Sequence, residues 1–527
     1  MKMKNFVEFR YGQDTLTIGT AIWLSEGKIK GILTPETRAN VQRNRDVVEN
    51  IVHHQKIVYG INTGFGPLCT TLIGEEDTKK LQYNLLMSHS VGIGDFIEPQ
   101  IARLMLILKV HALAQGYSGI AVETLDRILW HIENDVIPCV PEQGSVGASG
   151  DLAPLSHLFL SLIGMGKVFY NNEIKPAAEV LQQFNLQPVD LGPKEGLALI
   201  NGTQFMSAHA VKIIERFQNC LDHADIIAAI NLEAMMGSVK SFDKELHSLR
   251  PYSGSIYVAS RMRELLRNSE IVESHRNCTR VQDPYSLRCI PQVHGASRNA
   301  WLHLKETIET EINSVTDNPI IFSEEKTISG GHFHGQPIAL PIDYAGLAAA
   351  ELGNISERRV YLSMIESVPG LPKLLMKHTG LNSGFMILQY TAAALVSENK
   401  SQCFPASADS IPTSLGQEDH VSMGSISARK TLRIVNNLEK ILGIEMMTAA
   451  QGFDFRKPMR SGTLTDAAHT LIREHITFAE DDRIFSPDIE EAIVLIQSKK
   501  LIKRLNEVAK NENIEFKNED HELFGIY

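Results

Sequence analysis

Residues 206–236 read MSAHAVKIIERFQNCLDHADIIAAINLEAMM. Val211, Ile214, Phe217, Cys220 and Leu221, then Ile226, Ile227 and Ile230, recur at the three- and four-residue spacing of an α-helix. They cover more than one side of that helix, and a helix apolar on several faces is buried in a core or between subunits. The pattern returns along the chain. Ile101, Leu104, Met105, Leu108 and Ala112 form one apolar face, and further long helices are expected over 298–314, 344–362, 384–396, 427–451 and 486–508. Strand signals are short and few, at 57–59, 167–170 and 320–322. No doubly wound βαβ rhythm and no internal repeat accompanies them. The fold class that follows is mainly α, a bundle of long helices.

The composition narrows the function. The 51 Lys and Arg against 62 Asp and Glu leave a net charge of −11. That balance speaks against a nucleic-acid or anionic-membrane binder. The best apolar run, 101–117, is interrupted by Arg103, Lys109 and His111, so no membrane span is expected. Six cysteines without a C-x-x-C pair suit a reducing cytoplasm. At about 150 residues per domain the length suggests three or four domains. Long helices through a shared core explain it better. Three segments are expected: a loop-rich N-terminal domain over 1–204, a helical bundle domain over 205–510, and a polar acidic tail over 511–527, of which 511–521 is read as a solvated end.

Gly- and Ser-rich loops stand out against the helices: YGINTGFGP at 59–67, QGSVGASGDLAP at 143–154, SGGHFHGQP at 329–337 and GQEDHVSMG at 416–424. Function concentrates in loops held by rigid elements. No phosphate loop, dinucleotide fingerprint, nucleophile elbow or H-E-x-x-H is present. His332 and His334 are the nearest thing to a metal pair, without a carboxylate or thiol at ligand spacing, so no metal is assigned. Within Ala148-Ser149-Gly150-Asp151 the bland reading is a turn, with Asp151 capping a helix from Leu152. A chemical reading competes. Gly150 has no Cβ, so its amide nitrogen can close on the Ala148 carbonyl, and Ser149 can then lose its hydroxyl as water. The product is a backbone-derived electrophile.

GSVGASGDLAPLSH at 144–157 resembles the prosthetic-group signature of the aromatic amino-acid ammonia-lyase family. LALINGTQ at 197–204, VQDPYSLRC at 281–289, FHGQP at 333–337, GLNSGFM at 380–386, QEDHVSMG at 417–424 and the 59–67 loop resemble family blocks in the same order. The resemblance implies a fumarase/aspartase-like helical bundle and a homotetramer with active sites built from more than one subunit. It also implies a 4-methylidene-imidazol-5-one (MIO) group formed from Ala148, Ser149 and Gly150. A free amino acid would be the substrate.

The same resemblance assigns roles. Tyr59 matches the catalytic tyrosine that takes the β-proton; with an ordinary pKa of about 10 it needs a depressed value to act near neutral pH. Arg288 matches the clamp on the substrate carboxylate, a use suited to a planar guanidinium. Tyr285 and Asn201 match residues that orient the substrate and support the prosthetic group. Gln282 and Phe333 match pocket positions. His89 and Glu418 face the substrate ring, and a histidine with a carboxylate suits an imidazole, whose nitrogens donate and accept. The histidine-type branch is therefore implied, eliminating ammonia from L-histidine to give trans-urocanate. Tyrosine or phenylalanine ammonia-lyases and 2,3-aminomutases of the same family are the near alternatives. A non-catalytic helical assembly protein or a His-dependent metalloenzyme are the distant ones. Two positions depart from the histidine-type pattern: His332 stands where Asn is usual in GGNFH, and Gly416 replaces the usual Asn before QEDH.

Overall fold

The computed structural model describes residues 8–64, 73–276, 280–366, 368–516 and 521–527. Cys69, Cys278 and the end of the 59–67 loop lie outside them. The protein is mainly α-helical. The stretch that opens the sequence reading forms a 31-residue helix, Gln204–Ala234. Val211, Ile214, Phe217, Leu221, Ile227 and Ile230 on it are fully buried, as the multi-sided apolar pattern requires.

Other long helices include Pro35–His53, Pro99–Leu113, Ile290–Glu311, Gln336–Met364, Met386–Gln402 and Gly424–Asp454. The helix expected over 486–508 is two helices, Ser486–Gln497 and Lys500–Asn511. Lys499 between them has φ +56°, which an α-helix cannot contain. Strands form at Lys167–Tyr170 and Ile320–Ile321. Residues 57–59 form none: the Val58 N–H donates to the Asn62 side chain at 2.9 Å instead of to a neighbouring strand. No helix among the described residues is long and apolar enough to cross a membrane.

Two compact units emerge. The first comprises Met1–Lys212, Leu304–Asp343 and Pro405–Arg429; the second comprises Ile213–His303, Tyr344–Phe404 and Lys430–Tyr527. They differ from the contiguous segments 1–204 and 205–510. The first unit takes back two later pieces, because the division falls inside four long helices. Local composition does not reveal such a division. Past the stretch read as a solvated end, the last residues of the tail are packed. Phe524 and Ile526 are buried, and the Phe524 and His521 rings lie 5.0 and 4.6 Å from that of Tyr257. Two apolar residues beyond the acidic stretch give it something to bury.

The second unit holds a buried charge network. Asp225 accepts from Arg261 Nε at 2.8 Å, Arg298 Nη2 at 2.6 Å and the His294 ring at 2.8 Å. Burial alone pushes the Asp225 carboxyl up, but Arg298, His294 and Arg261 together hold it well below the usual carboxylate range. Arg359 is fully buried and paired with Glu445 through two nitrogens. Removing one partner of a buried pair leaves an uncompensated charge, at a cost of about 3–5 kcal/mol. Glu445→Ala should therefore lower the midpoint of urea unfolding sharply. Replacing both Arg359 and Glu445 by leucine should recover much of the loss.

Candidate active site

The Ala148–Gly150 loop is locked by two distant segments. Residues 421–425 pack on one side: Met423 N donates to Val146 O at 2.9 Å, Ser425 Oγ to Ser145 O at 2.6 Å, and Ala148 packs with Val421 and Met423. Gly202 lies on the other side. Its carbonyl accepts Asp151 N at 2.8 Å, and its own N–H donates to Ser149 O at 3.3 Å. Ser149 and Gly150 have φ +38° and +80°. A Cβ on Gly150 would stand 2.1 Å from Gly202 O, so only glycine fits this approach. A tight left-handed turn with a glycine amide next to it is the backbone geometry that the cyclisation demands.

Asp151 occupies the N-cap position of the helix Leu152–Phe159 but makes no side-chain cap to it. Its buried carboxylate accepts Met206 N at 3.0 Å, at the start of the long helix, and Ser145 Oγ at 3.4 Å. The capping expectation thus names the right group and the wrong helix. Burial raises the Asp151 pKa to about 7, against the lowering effect of the Met206 and Phe205 N–H groups.

A cavity of about 1140 Å³ opens over this loop, and among the described residues its lining belongs to the first unit. Tyr59, His89, Ser149, Asn201, Phe333 and Glu418 line it, with Ser414, Gln417 and Asn318. Tyr59 sits on a loop braced by its own side chains: Asn62 Nδ2 donates to Lys56 O at 2.7 Å and Gly60 N to Thr63 Oγ1 at 3.2 Å. His89 ends the helix Glu75–His89. Burial lowers its pKa, while the Leu85 carbonyl and the Glu418 charge act in the other direction. The loop after His89 is held by His157, whose Nε2 accepts Gly92 N at 3.0 Å. Glu418 Oε1 accepts Ser149 Oγ at 3.3 Å, and Oε2 accepts Thr413 Oγ1 at 2.9 Å and Ser414 Oγ at 2.7 Å.

Gln282, Tyr285 and Arg288 belong to the second unit and are not among the residues lining this cavity. Tyr285 is 71% exposed, and the Arg288 guanidinium lies 4.5 Å from its ring centroid. Arg288 Nε also donates to Asp283 O at 3.0 Å, which aims the side chain. His334 bonds His420 O at 3.2 Å through Nε2 and accepts Gln336 N at 3.3 Å, so both its ring nitrogens have protein partners.

Sequence reasoning passed over several residues that shape the site. Lys109 is fully buried and donates to Asn201 O. Burial drops its pKa to about 7, although nearby Asp317 favours the charged form. Asn201 is held from its other end, Nδ2 donating to Asn318 O at 2.9 Å. The signal was present: a lysine amid the apolar run 101–117 has no solvent face to occupy. Thr413 and Ser414 were missed although they lie just before QEDH.

Comparison with known proteins identifies the family. A family model described as aromatic amino acid lyase matches residues 16–474. A curated histidine ammonia-lyase of Stigmatella aurantiaca is 46% identical over 490 residues, 93% of this chain and 96% of its own. The crystal structure of histidine ammonia-lyase from Trypanosoma cruzi superposes with a TM-score of 0.89 at 38% identity, covering 99% of this chain and 98% of its own. That of tyrosine aminomutase from Streptomyces globisporus gives 0.89 at 33% identity, over 95% and 99%. The chain belongs to the aromatic amino acid lyase family and is a carbon–nitrogen lyase.

Proposed function

We propose that this enzyme eliminates ammonia from L-histidine to give trans-urocanate, using an MIO electrophile formed from Ala148, Ser149 and Gly150. The observation that carries the reading is the Glu418 carboxylate at 3.3 Å from Ser149 Oγ, in the cavity that His89 and Tyr59 also line. An unpaired carboxylate facing a phenyl ring is costly, whereas facing an imidazole it accepts a ring N–H.

Formation of the electrophile is balanced by two waters. The Gly150 nitrogen bonds to the Ala148 carbonyl carbon, and that oxygen leaves as water with the Gly150 and Ser149 amide hydrogens. Ser149 then loses its hydroxyl and its Cα hydrogen as the second water, leaving a methylidene. This group supplies an electrophile that captures the substrate and eases departure of the amine. The remaining work falls to side chains. Tyr59 takes the β-proton. His89 and Glu418 hold the ring, and Phe333 walls the pocket. Asn201 is pinned by Lys109 and Asn318 beside the turn, which suits a group that supports the electrophile.

Gln282, Tyr285 and Arg288 complete the site from another copy of the chain in a homotetramer. The exposed Tyr285–Arg288 stack supports this, since it offers an aromatic hydroxyl and a cation outward from its own unit. Arg288 clamps the substrate carboxylate, and Tyr285 orients the substrate. Cys139, Cys220, Cys289 and Cys403 are free thiols, in keeping with a cytoplasmic enzyme.

Purified protein offered L-histidine, L-tyrosine and L-phenylalanine should form a conjugated acrylate from L-histidine far faster than from the others. Absorbance of the product checks this. Preferred turnover of tyrosine or phenylalanine would overturn the substrate, and accumulation of a β-amino acid would reassign the enzyme as an aminomutase.

A further inference from the structure

Glu418 is gripped from one side. Its Oε2 takes two hydroxyls, Thr413 Oγ1 at 2.9 Å and Ser414 Oγ at 2.7 Å, while Oε1 takes Ser149 Oγ at 3.3 Å. The grip is built into the backbone. Thr413 and Glu418 pair across an antiparallel bridge, with Thr413 N donating to Glu418 O at 2.9 Å. Between them Ser414, Leu415 and Gly416 have φ +50°, +56° and +85°. Serine and leucine are disfavoured there, and such strain persists where the surroundings enforce it. Leu415 is 94% exposed, so burial does not compensate. What the turn achieves is to bring two adjacent hydroxyls onto one carboxylate oxygen. Gly416 adopts the left-handed conformation at no steric cost.

We infer that Thr413 and Ser414 are positioning residues for ring recognition: by holding Oε2 they fix the carboxylate plane and leave Oε1 as the oxygen offered to the substrate imidazole. This rests on the histidine reading above. In the uncyclised chain Oε1 accepts the Ser149 hydroxyl. When that hydroxyl departs as water with the Ser149 Cα hydrogen, Oε1 loses its donor. The dehydration that makes the electrophile thus also clears the acceptor for a ring N–H. A hydrogen bond to a charged group carries enough energy that losing one lowers affinity about tenfold to a hundredfold.

The test is a double-mutant cycle read by two measurements, the Kd of trans-urocanate and kcat/KM for L-histidine, with the intact mass as control for maturation. Ser414→Ala and Thr413→Val should each weaken urocanate and lower kcat/KM about tenfold to a hundredfold, with the mass still short by two waters. Thr413→Ser, which keeps the hydroxyl at an extended position (φ −128°), should restore most of the Thr413→Val loss. In a Glu418→Ala background the same substitutions should change urocanate affinity less than about twofold, because the hydroxyls act only through the carboxylate. If Glu418→Ala itself leaves urocanate affinity and histidine turnover intact, the histidine reading fails. If Glu418→Ala weakens both but the hydroxyl variants do not, or their losses add fully in its background, the positioning role fails. Loss of the dehydration in Ser414→Ala would move the hydroxyls to maturation and overturn the inference as well.

Discussion

Ser149→Ala is expected to abolish turnover, by roughly ten-thousandfold or more, while leaving the chain folded. The substitution removes one oxygen, and that oxygen must leave for the methylidene to form. The fold loses little. Ser149 already has φ +38°, which alanine tolerates no worse than serine, and the side chain makes one bond, to Glu418 at 3.3 Å. The flanking contacts survive, because Gly150 still meets Gly202 and residues 421–425 still cover Ala148. Intact mass should show no loss of two waters, and size-exclusion elution should match the unaltered protein. Turnover at the original rate would end the case for a backbone-derived electrophile.

Glu418→Gln is the second large effect, and it separates substrates. The variant keeps shape and removes charge, so Thr413 and Ser414 retain an acceptor while the substrate ring loses an ionised one. A hydrogen bond to a charged group is worth about 1.5–3 kcal/mol, so kcat/KM for L-histidine should fall roughly tenfold to a hundredfold. Slow turnover of phenylalanine should fall much less, because a neutral amide is less costly than a carboxylate against a phenyl ring. The comparison needs only the three-substrate assay on both proteins. Equal losses on every substrate would contradict ring recognition by Glu418.

Much of this was legible before the structure. Periodicity at 101–112 and 206–236 is a local property, and both segments are helices. Ala148-Ser149-Gly150 carries its chemistry in three adjacent residues. Tyr59, His89, Asn201, Phe333 and Glu418 were readable through their blocks, and the fold brings them with Ser149 to one cavity. Gln282, Tyr285 and Arg288 were equally readable, yet they lie in the other unit. Motif order along a chain carries no information about which copy of a surface completes a site.

The sequence by itself determined a mainly α fold, because a 3.6-residue period needs only neighbours to be seen, and it set side by side the three residues, Ala148, Ser149 and Gly150, on which the proposed electrophile rests. Tertiary structure decided the rest. Asp151 serves Met206, 55 residues on, instead of its own helix. Lys109 reaches Asn201 across 92 residues and is held in a dry interior. Glu418 meets Ser149 across 269. Asp151 and Lys109 are buried, and their partners are the long-range contacts that satisfy a buried polar group. That choice is a property of the packed chain, invisible in any window of its sequence.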